Sequence, residues 1–342
     1  MRSKRVFFAA LLVLAAIAAG TTGGALASQS KATLNGAGSS WLYPFISLWS
    51  ANYHKANVNY NPVGSGGGIA AIQARQVDFG ASDAPLTKEQ FAQCHGCVQI
   101  PWALGGTSIP YNIKGVPDAL KMTGPILAKI YLGKITRWNA APIKRINKGV
   151  HLPNEKITPI FRSDGSGTTY NFTDYLSKVS KEFKRRVGKG IQVNFPTGVG
   201  AKGSSGVAAA LSQTDGGLTY VDVAYSIKNG FSYFKIKNRA RKYMLPGLKN
   251  VKQAAKTVKR VPKNNAISIV NPPKSKKKAY PISTFSWVIV PKKTPKAAAL
   301  KRFIGWAITK GQRVAGAQKR QYVPIPPIVQ KAAQRTLKKI HS

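Results

Sequence analysis

The chain of 342 residues is predicted to adopt an α/β fold with enough length for two domains. Short runs rich in β-branched and aromatic residues alternate with segments of helical periodicity, which is typical of α/β proteins. Removal of an N-terminal export segment leaves about 315 residues, enough for two domains of ordinary size. A hydrophobic fraction of 43% indicates a globular protein with a large core.

The first segment has the pattern of a secretory signal peptide. Arg2, Lys4 and Arg5 precede an apolar run at 6–19, and residues 25–27 read Ala-Leu-Ala. This order predicts a signal peptide at 1–27 and an exported, periplasmic or extracellular protein. The alternative, a membrane anchor, needs roughly 18 or more continuous apolar residues, and this run is shorter. No Cys lies near the predicted cleavage site, so no lipid anchor is expected.

The alternating elements can be placed along the chain in order. Strands are predicted at 58–60, 98–101, 107–111, 158–161, 218–221 and 287–290. Helices are predicted at 42–54, 68–75, 126–132, 169–179, 207–212 and 297–309. In the last helix Leu300, Phe303, Ile304 and Ala307 recur at a spacing of three to four residues, which predicts a face packed on the core.

The charge is strongly positive, at +43 for the whole chain and near +40 once Arg2, Lys4 and Arg5 are removed. Residues 223–342 contain 29 Lys or Arg and no Asp or Glu. Such a field attracts polyanions and accelerates the association of small anions. Adaptation to an anionic cell wall or a broad compositional bias explains it better than a specific site does.

The only two cysteines lie in the sequence Cys94-His95-Gly96-Cys97. Redox chemistry or half of a zinc site are alternatives. Haem attachment requires a His directly after the second Cys, where this chain has Val98. In an exported protein a small loop closed by a disulfide is favoured, and we expect no metal site.

Three loops combine Gly and Ser and run directly into helical patterns. They occupy residues 36–41, 64–68 and 164–168. The free N–H groups and the dipole of a helix N-terminus favour an anion, and glycine lets the backbone approach it closely. A single loop of this kind is an ordinary helix cap. Three of them in one exported chain favour an anion-binding site.

Catalytic motifs are missing from the sequence. It contains neither the phosphate-binding loop of nucleotide hydrolases nor a G-x-S-x-G elbow, and its four histidines lie in no triad-like setting. A binding protein without a cofactor is therefore favoured. An exported phosphate-ester hydrolase with Ser166 or Ser40 as nucleophile is the alternative from another class, and it lacks an evident base.

Two charged residues give the predicted site its selectivity. Asp83 is one of only ten acids and lies in a Gly/Ser-rich stretch, and Arg162 precedes the third loop. A carboxylate accepts a hydrogen bond from an anion that keeps a proton, as phosphate does at neutral pH, and repels sulfate, which keeps none. Arg162 offers a charge-assisted contact to the anion. Asp164 either orients Arg162 or forms an ordinary surface ion pair with it.

These motifs resemble those of phosphate-binding proteins, the receptor subunits of phosphate ABC transporters. The segments 35–40, 63–68, 77–86 and 162–168 occur in the order typical of that family, and 129–138, 198–207 and 217–221 match further. The resemblance implies a two-lobed periplasmic-binding-protein fold of type II with the ligand cleft between the lobes. Lobe I is expected at 32–107 plus 281–342 and lobe II at 108–280. Strands near 106–111 and 280–289 would form the hinge.

The resemblance also implies the roles of individual residues. The residues expected to contact phosphate are Ser40, Trp41, Ser65, Asp83, Arg162, Ser166, Gly167 and Thr168. The chain departs from the family where Ser40-Trp41 replaces the usual Thr-Phe, and where Gly66 replaces a second Ser. The implied protein is a monomer that delivers phosphate to a membrane permease. Receptors for sulfate or molybdate, and a protein that binds anionic cell-wall polymers or nucleic acid through charge alone, are the remaining alternatives.

Overall fold

The computed structural model describes residues 31–342, so the predicted signal peptide at 1–27 lies outside the described residues. The strands are β1 (Thr33–Gly38), β2 (Asn57–Asn61), β3 (Phe79–Ser82), β4 (Cys97–Ser108), β5 (Tyr111–Asn112), β6 (Lys121–Met122), β7 (Thr158–Arg162), β8 (Val199–Ala201), β9 (Gly217–Leu218), β10 (Val221–Asp222), β11 (Lys235–Lys237), β12 (Tyr243–Met244) and β13 (Ser283–Pro291).

The helices alternate with these strands, as the sequence predicts. They are α1 (Tyr43–Asn52), α2 (Ser65–Gln73), α3 (Lys88–Gln93), α4 (Gly124–Tyr131), α5 (Ala141–Ile146), α6 (Gly167–Val179), α7 (Lys181–Arg186), α8 (Gly203–Ser212), α9 (Val223–Lys228), α10 (Leu248–Ala255), α11 (Ala297–Ala307) and α12 (Pro327–Leu337), with a 3₁₀ helix at Lys310–Arg313. The α/β class is confirmed. No helix within residues 31–342 has both the length and the apolar character needed to cross a bilayer.

The first lobe is built on a six-stranded sheet with the order β10-β4-β13-β3-β1-β2. Strand β1 pairs in parallel with β2 and β3, whereas β13 runs antiparallel to β3 and β4. Every residue of β4 and β13 is buried, because helices cover both faces of the sheet. The face of α11 predicted to point inward does so, since Leu300, Phe303 and Ile304 belong to this core.

The second lobe contains a four-stranded sheet, β5-β9-β7-β8, and a three-stranded sheet, β12-β11-β6. Its core is separate and includes Leu127, Trp138, Phe172 and Tyr220. The first core also takes in Val251 of α10, from the stretch predicted for lobe II. The lobe limits at 32–107 plus 281–342 and at 108–280 stay a prediction.

Two adjacent strands carry the chain between the lobes. In the antiparallel pair of β4 and β13, Ser283 lies opposite Gly106. Ile109 and Ile282, just beyond this point, pack in the second core, while strand residues on the other side pack in the first. These are the segments predicted to form a hinge, and the hinge motion itself remains a proposal.

Four predicted helices begin earlier than the sequence indicates, α4 and α6 by two residues and two others by more. Helix α2 begins at Ser65 rather than at residue 68, and α8 begins at Gly203 rather than at 207. Glycine-rich first turns have low helix propensity, which hid these starts. In α2 the reason for glycine is close packing, because a side chain at Gly68 would collide with the backbone of Gly38 in β1. The strand predicted at 218–221 is in fact two short strands, β9 and β10.

A disulfide joins Cys94 and Cys97, which confirms the predicted pairing. It closes the turn between α3 and β4, where His95 and Gly96 both have positive φ angles. The guanidinium of Arg75, at the end of α2, donates to the carbonyl oxygens of Cys94 and His95 at 2.8 and 3.0 Å. The turn is thereby attached to the end of the helix that begins at Ser65.

Candidate functional site

The predicted site residues come together where strands of both lobes end and helices begin. Carboxyl ends of parallel strands and the loops that follow them are the usual place for ligand sites in open α/β sheets. The backbone N–H of Gly66 donates to the carbonyl of Gly165 at 2.8 Å, which joins the second loop to the third. A Cβ atom on Gly167 would lie 2.7 Å from the amide nitrogen of Asp83 and 2.7 Å from Ser65 Oγ. The lobes are therefore in close contact around Asp83.

Asp83 follows β3 and is 1% exposed. Its Oδ2 accepts a hydrogen bond from Ser39 Oγ at 2.6 Å. Its Oδ1 is buried and has no hydrogen-bond partner among the described residues. Burial raises the pKa of Asp83 to about 6, although hydrogen bonds from hydroxyl groups and the charge of Arg162 work in the opposite direction. A buried acceptor without a donor can take a hydrogen bond from a ligand that carries a proton.

Arg162 ends β7 and is also buried. Its Nε donates to Asp164 Oδ1 at 2.7 Å, and its Nη2 pairs with Asp164 Oδ2, so the carboxylate holds the guanidinium in a fork. The backbone N–H of Gly203 donates to the same carboxylate at 2.9 Å. Although burial acts to raise the pKa of Asp164, the hydrogen bonds and charge of Arg162 hold it below its ordinary value. Asp164 thus orients the arginine, as one of the two sequence interpretations proposed.

The hydroxyl groups of the site are arranged as donors. A hydroxyl that already accepts a backbone N–H directs its own hydrogen elsewhere. Ser65 Oγ accepts from Asp83 N at 3.2 Å, Ser166 Oγ from Thr169 N at 3.2 Å, and Ser40 Oγ from Ser204 N at 3.1 Å. Thr168 Oγ1 is buried and has no partner within residues 31–342. Such a set of donors suits an oxyanion.

Helix N-termini add backbone donors to the same place. Helix α2 begins at Ser65, α6 begins at Gly167, and α8 begins at Gly203. Their first N–H groups have no intrahelical acceptor, and several of them donate within the protein, as Gly66 does to Gly165, Gly203 to Asp164 and Ser204 to Ser40. The remaining N–H groups and the helix dipoles favour negative charge. The Gly/Ser loops are thus at helix starts, as the sequence predicts for the second and third of them.

Trp41 has its side chain in the first core. Its indole is fully buried, and it packs edge-on against Tyr322 with ring centroids 5.7 Å apart. Tyr322 Oη also donates to the Trp41 carbonyl at 3.0 Å. The indole Nε1 is buried without a hydrogen-bond partner among the described residues, so the role of Trp41 in ligand contact stays a prediction.

Sequence reasoning did not select several polar residues of the site. Ser39 binds Asp83, Ser204 Oγ lies 2.9 Å from Ser40 Oγ, and Asn171 Nδ2 donates to the Asp83 carbonyl at 2.7 Å. Tyr225 Oη donates to the Ser40 carbonyl at 3.0 Å. Ser39 belongs to the first loop, but no sequence pattern favoured it over Ser40. Ser204 lies in the matching segment 198–207, which was not resolved to single residues, whereas Asn171 and Tyr225 come from segments without a motif.

Comparisons with known proteins place the chain in a family. Residues 23–310 match the model of the PBP superfamily domain. The chain is 42% identical over 311 residues to the phosphate-binding protein PstS of Xylella fastidiosa, covering 88% of this chain and 84% of the relative. It is 37% identical over 310 residues to the PstS of Haemophilus influenzae, covering 89% and 92% of the two chains. The chain belongs to the PstS family of phosphate-binding proteins.

The two-lobed fold is shared with solved structures of phosphate-binding proteins. The crystal structure of the phosphate-binding protein from Stenotrophomonas maltophilia superimposes with a TM-score of 0.70 at 19% identity, over 89% of this chain and 93% of that one. At this identity the likeness concerns the fold. The PstS family and its two-lobed architecture are therefore established for this chain, and the predicted resemblance is confirmed.

Proposed function

We propose that this protein binds inorganic phosphate with high affinity outside the membrane and delivers it to the permease of an ABC transporter. The observation that carries the proposal is the carboxylate of Asp83, whose buried Oδ1 lacks a donor among the described residues while hydroxyl groups and Arg162 surround it. Phosphate supplies both the proton for Asp83 and the oxygens for the donors. Membership of the PstS family supports the same function.

The individual roles follow from the geometry. Asp83 Oδ1 accepts a hydrogen bond from the protonated oxygen of phosphate. Arg162 neutralises the anion, and Asp164 holds the guanidinium of Arg162 in position. Ser65 and Thr168 donate their hydroxyl hydrogens, as do Ser40 and Ser166, and the backbone of Trp41 and Gly167 donates N–H groups. Sulfate has no proton for Asp83, so it would place two negatively charged oxygens together in a dry site.

Ligand binding is proposed to hold the two lobes closed. The site draws Asp83 and Ser65 from the first lobe, and Arg162, Ser166 and Thr168 from the second. A ligand that contacts both lobes stabilises the closed state, since it gains those contacts only there. We propose that the strands around 106–111 and 280–289 form the hinge, with lobes at 32–107 plus 281–342 and at 108–280.

We propose binding and release without chemical change to the ligand. The hydrogen-bond partners of the two candidate nucleophiles are Ser204 for Ser40 and the backbone N–H of Thr169 for Ser166. Neither of these partners is a general base. The protein is proposed to act as an exported monomer, with a signal peptide at 1–27.

The test is calorimetric titration of residues 32–342 with phosphate and with sulfate at pH 7.5. We expect tight binding of phosphate with a 1:1 stoichiometry and sulfate binding weaker by at least about 10³-fold, as for a site with a polar group left unpaired by the wrong ligand. Equal binding of the two anions, or no binding of phosphate, would overturn the proposal.

A second partner is proposed from the charge distribution. Residues 223–342 contain 29 Lys or Arg and no acid. Within residues 31–342, the salt bridge of Lys296 with Asp78 is the only one that involves this segment. Lys252, Lys256, Lys310 and Arg313 line one groove of about 950 Å³ on this side. We propose that anionic cell-wall polymers bind here. Retention on such a polymer should fall steeply with salt. Retention that salt does not change would contradict this.

A further inference from the structure

Ser39, the first residue after β1, is held in a single orientation. Its side chain is buried, and its Oγ accepts from Leu42 N at 3.1 Å. Its N–H donates to the Ala81 carbonyl at 2.9 Å, and its own carbonyl accepts from Tyr60 Oη at 2.9 Å. Because Leu42 N–H already occupies a lone pair of the hydroxyl, the single hydroxyl hydrogen of Ser39 is free to point at Asp83 Oδ2, 2.6 Å away.

This hydrogen bond makes the two oxygens of Asp83 unequal. Oδ2 is taken by the protein, and Oδ1 stays without a partner among the described residues. Ser65 and Ser286 are also close to the carboxylate and help to lower its pKa, but their nearest hydrogen-bond partners are Asp83 N and the Ser82 carbonyl. Ser39 is therefore the hydroxyl that fixes the rotation of the carboxylate.

We propose that Ser39 is a positioning residue that fixes the rotation of the Asp83 carboxylate and turns its Oδ1 toward the ligand. This rests on the proposed function, in which Asp83 accepts a proton from the bound oxyanion. Ser39 does not contact the ligand. Through its hydrogen bond to Asp83, it sets the pH range in which the site rejects an anion without a proton.

The groups that surround Asp83 come from several elements. Arg162 of β7 stabilises the ionised form, whereas Asp222 of β10 is a second buried acid whose pKa is raised by burial and by Asp83. Tyr60 and Tyr322 also face Asp83, and burial raises the pKa of each phenol, so both stay neutral at physiological pH. Burial is the largest influence on the pKa of Asp83 and raises it, and the hydrogen bond from Ser39 is the largest influence that lowers it.

The sign of the effect of Ser39→Ala follows directly. Loss of a hydrogen bond to the charged form raises the pKa of Asp83 above its present value of about 6. The carboxyl group is then protonated at higher pH, where it donates a hydrogen bond rather than accepting one. Sulfate can accept that bond, so sulfate binding should persist to higher pH in the variant than in the wild type.

The experiment is titration of phosphate and sulfate by calorimetry from pH 5 to pH 9 with wild type, Ser39→Ala and Ser39→Thr. For Ser39→Ala we expect phosphate affinity at pH 7 to fall about tenfold, as for one hydrogen bond to a charged group. The pH below which sulfate binds should rise by about one unit. Ser39→Thr keeps the hydroxyl and should follow the wild type.

Ser180→Ala is the control for the loss of a serine that binds a backbone N–H three residues ahead. Ser180 accepts from Phe183 N at 3.1 Å at the start of α7, as Ser39 does from Leu42 N in the turn that precedes α1. The control should lose a similar amount of thermal stability and leave both pH profiles unchanged.

Two outcomes separate this inference from the proposed function. If the wild type rejects sulfate at pH 7.5, and the Ser39→Ala profile for sulfate coincides with that of the wild type, the role of Ser39 is wrong and phosphate binding stands. If the wild type itself fails to prefer phosphate, the proposed function fails first.

Discussion

At the residue scale, the chemistry depends on one buried acid kept beside one buried cation. Asp83 and Arg162 do not form an ion pair, because Arg162 is forked onto Asp164 and Asp83 is bound by Ser39. Each of the two central groups is thus held by a partner of its own and keeps atoms free for the ligand. Such support by neighbouring residues is what allows a site to discriminate between similar anions.

Burial of Asp83 has a cost in stability that depends on pH. Its pKa is raised from 3.8 to about 6 in the folded protein, so the folded state holds the proton more tightly than the unfolded state. The associated stability is present at low pH and is lost as the pH rises through 6. Between pH 4 and pH 8 the ligand-free wild type should lose about 2–3 kcal/mol of unfolding free energy that Asp83→Asn does not lose, because the amide does not titrate.

Urea unfolding of the two ligand-free proteins at pH 4 and pH 8 measures this difference. Asp78→Asn serves as the control, since Asp78 is a partly exposed acid paired with Lys296 away from the site. If the difference in unfolding free energy between Asp83→Asn and wild type stays constant with pH, burial does not disfavour the ionised form of Asp83.

At the element scale, closure depends on glycine where α6 meets the first lobe. Gly167 is the first residue of α6, and a Cβ atom there would meet the backbone and Cβ of Asp83 at 2.7 Å each. Neither of these two atoms can shift without movement of the Asp83 backbone. The clash exists only when the lobes are closed, because Gly167 and Asp83 belong to different lobes.

Gly167→Ala should consequently weaken phosphate binding without weakening the fold. Overpacking of about 1–3 kcal/mol in the closed state corresponds to a loss of affinity of about 5- to 150-fold. The melting temperature of the ligand-free protein should stay the same or rise. Gly206→Ala, inside α8, is the matched control because its Cβ would find its nearest neighbours at 3.8 Å. Phosphate affinity of Gly167→Ala equal to that of the control would contradict the closed geometry.

The elements also show what the sequence could and could not predict. The Gly/Ser loops, Asp83 and Arg162 are recognisable because their chemistry is local in the chain. The start of α2 at Ser65 was missed, since the demand for glycine there comes from β1 and not from the helix. Asn171 reaches Asp83 through the meeting of two lobes, and Ser204 reaches Ser40 in the same way while also contacting Arg162 in its own lobe, and no local pattern records these contacts. Trp41 reads as a contact residue in its loop, but its indole fills the core beneath it.

At the scale of the whole molecule, the positive field and the binding site have different roles. The charge of +43 spreads over the surface, whereas the site combines neutral donors, one arginine and an acid. Long-range attraction of an anion is screened over about 8–10 Å at physiological salt, and a closed site is screened much less. We therefore expect the charge to accelerate encounter and the closed site to set the dissociation rate.

Stopped-flow association rates of phosphate should therefore fall with added salt, while the dissociation rate, which the closed site sets, stays nearly constant. We expect the association rate to fall about tenfold or more between 10 mM and 500 mM sodium chloride, and Kd to rise in parallel. A dissociation rate that rises with salt as steeply as the association rate falls would mean that surface charge, and not the closed site, retains the bound ligand.

Asp83→Asn, compared with wild type for phosphate and sulfate at pH 7.5, gives the most direct test of the central claim. An amide cannot act as the negatively charged acceptor that repels sulfate, so we predict that the ratio of phosphate to sulfate affinity falls by at least about 100-fold. Calorimetric titration of both proteins with both anions measures this ratio. A ratio that survives the substitution unchanged would show that a group other than Asp83 distinguishes the two anions.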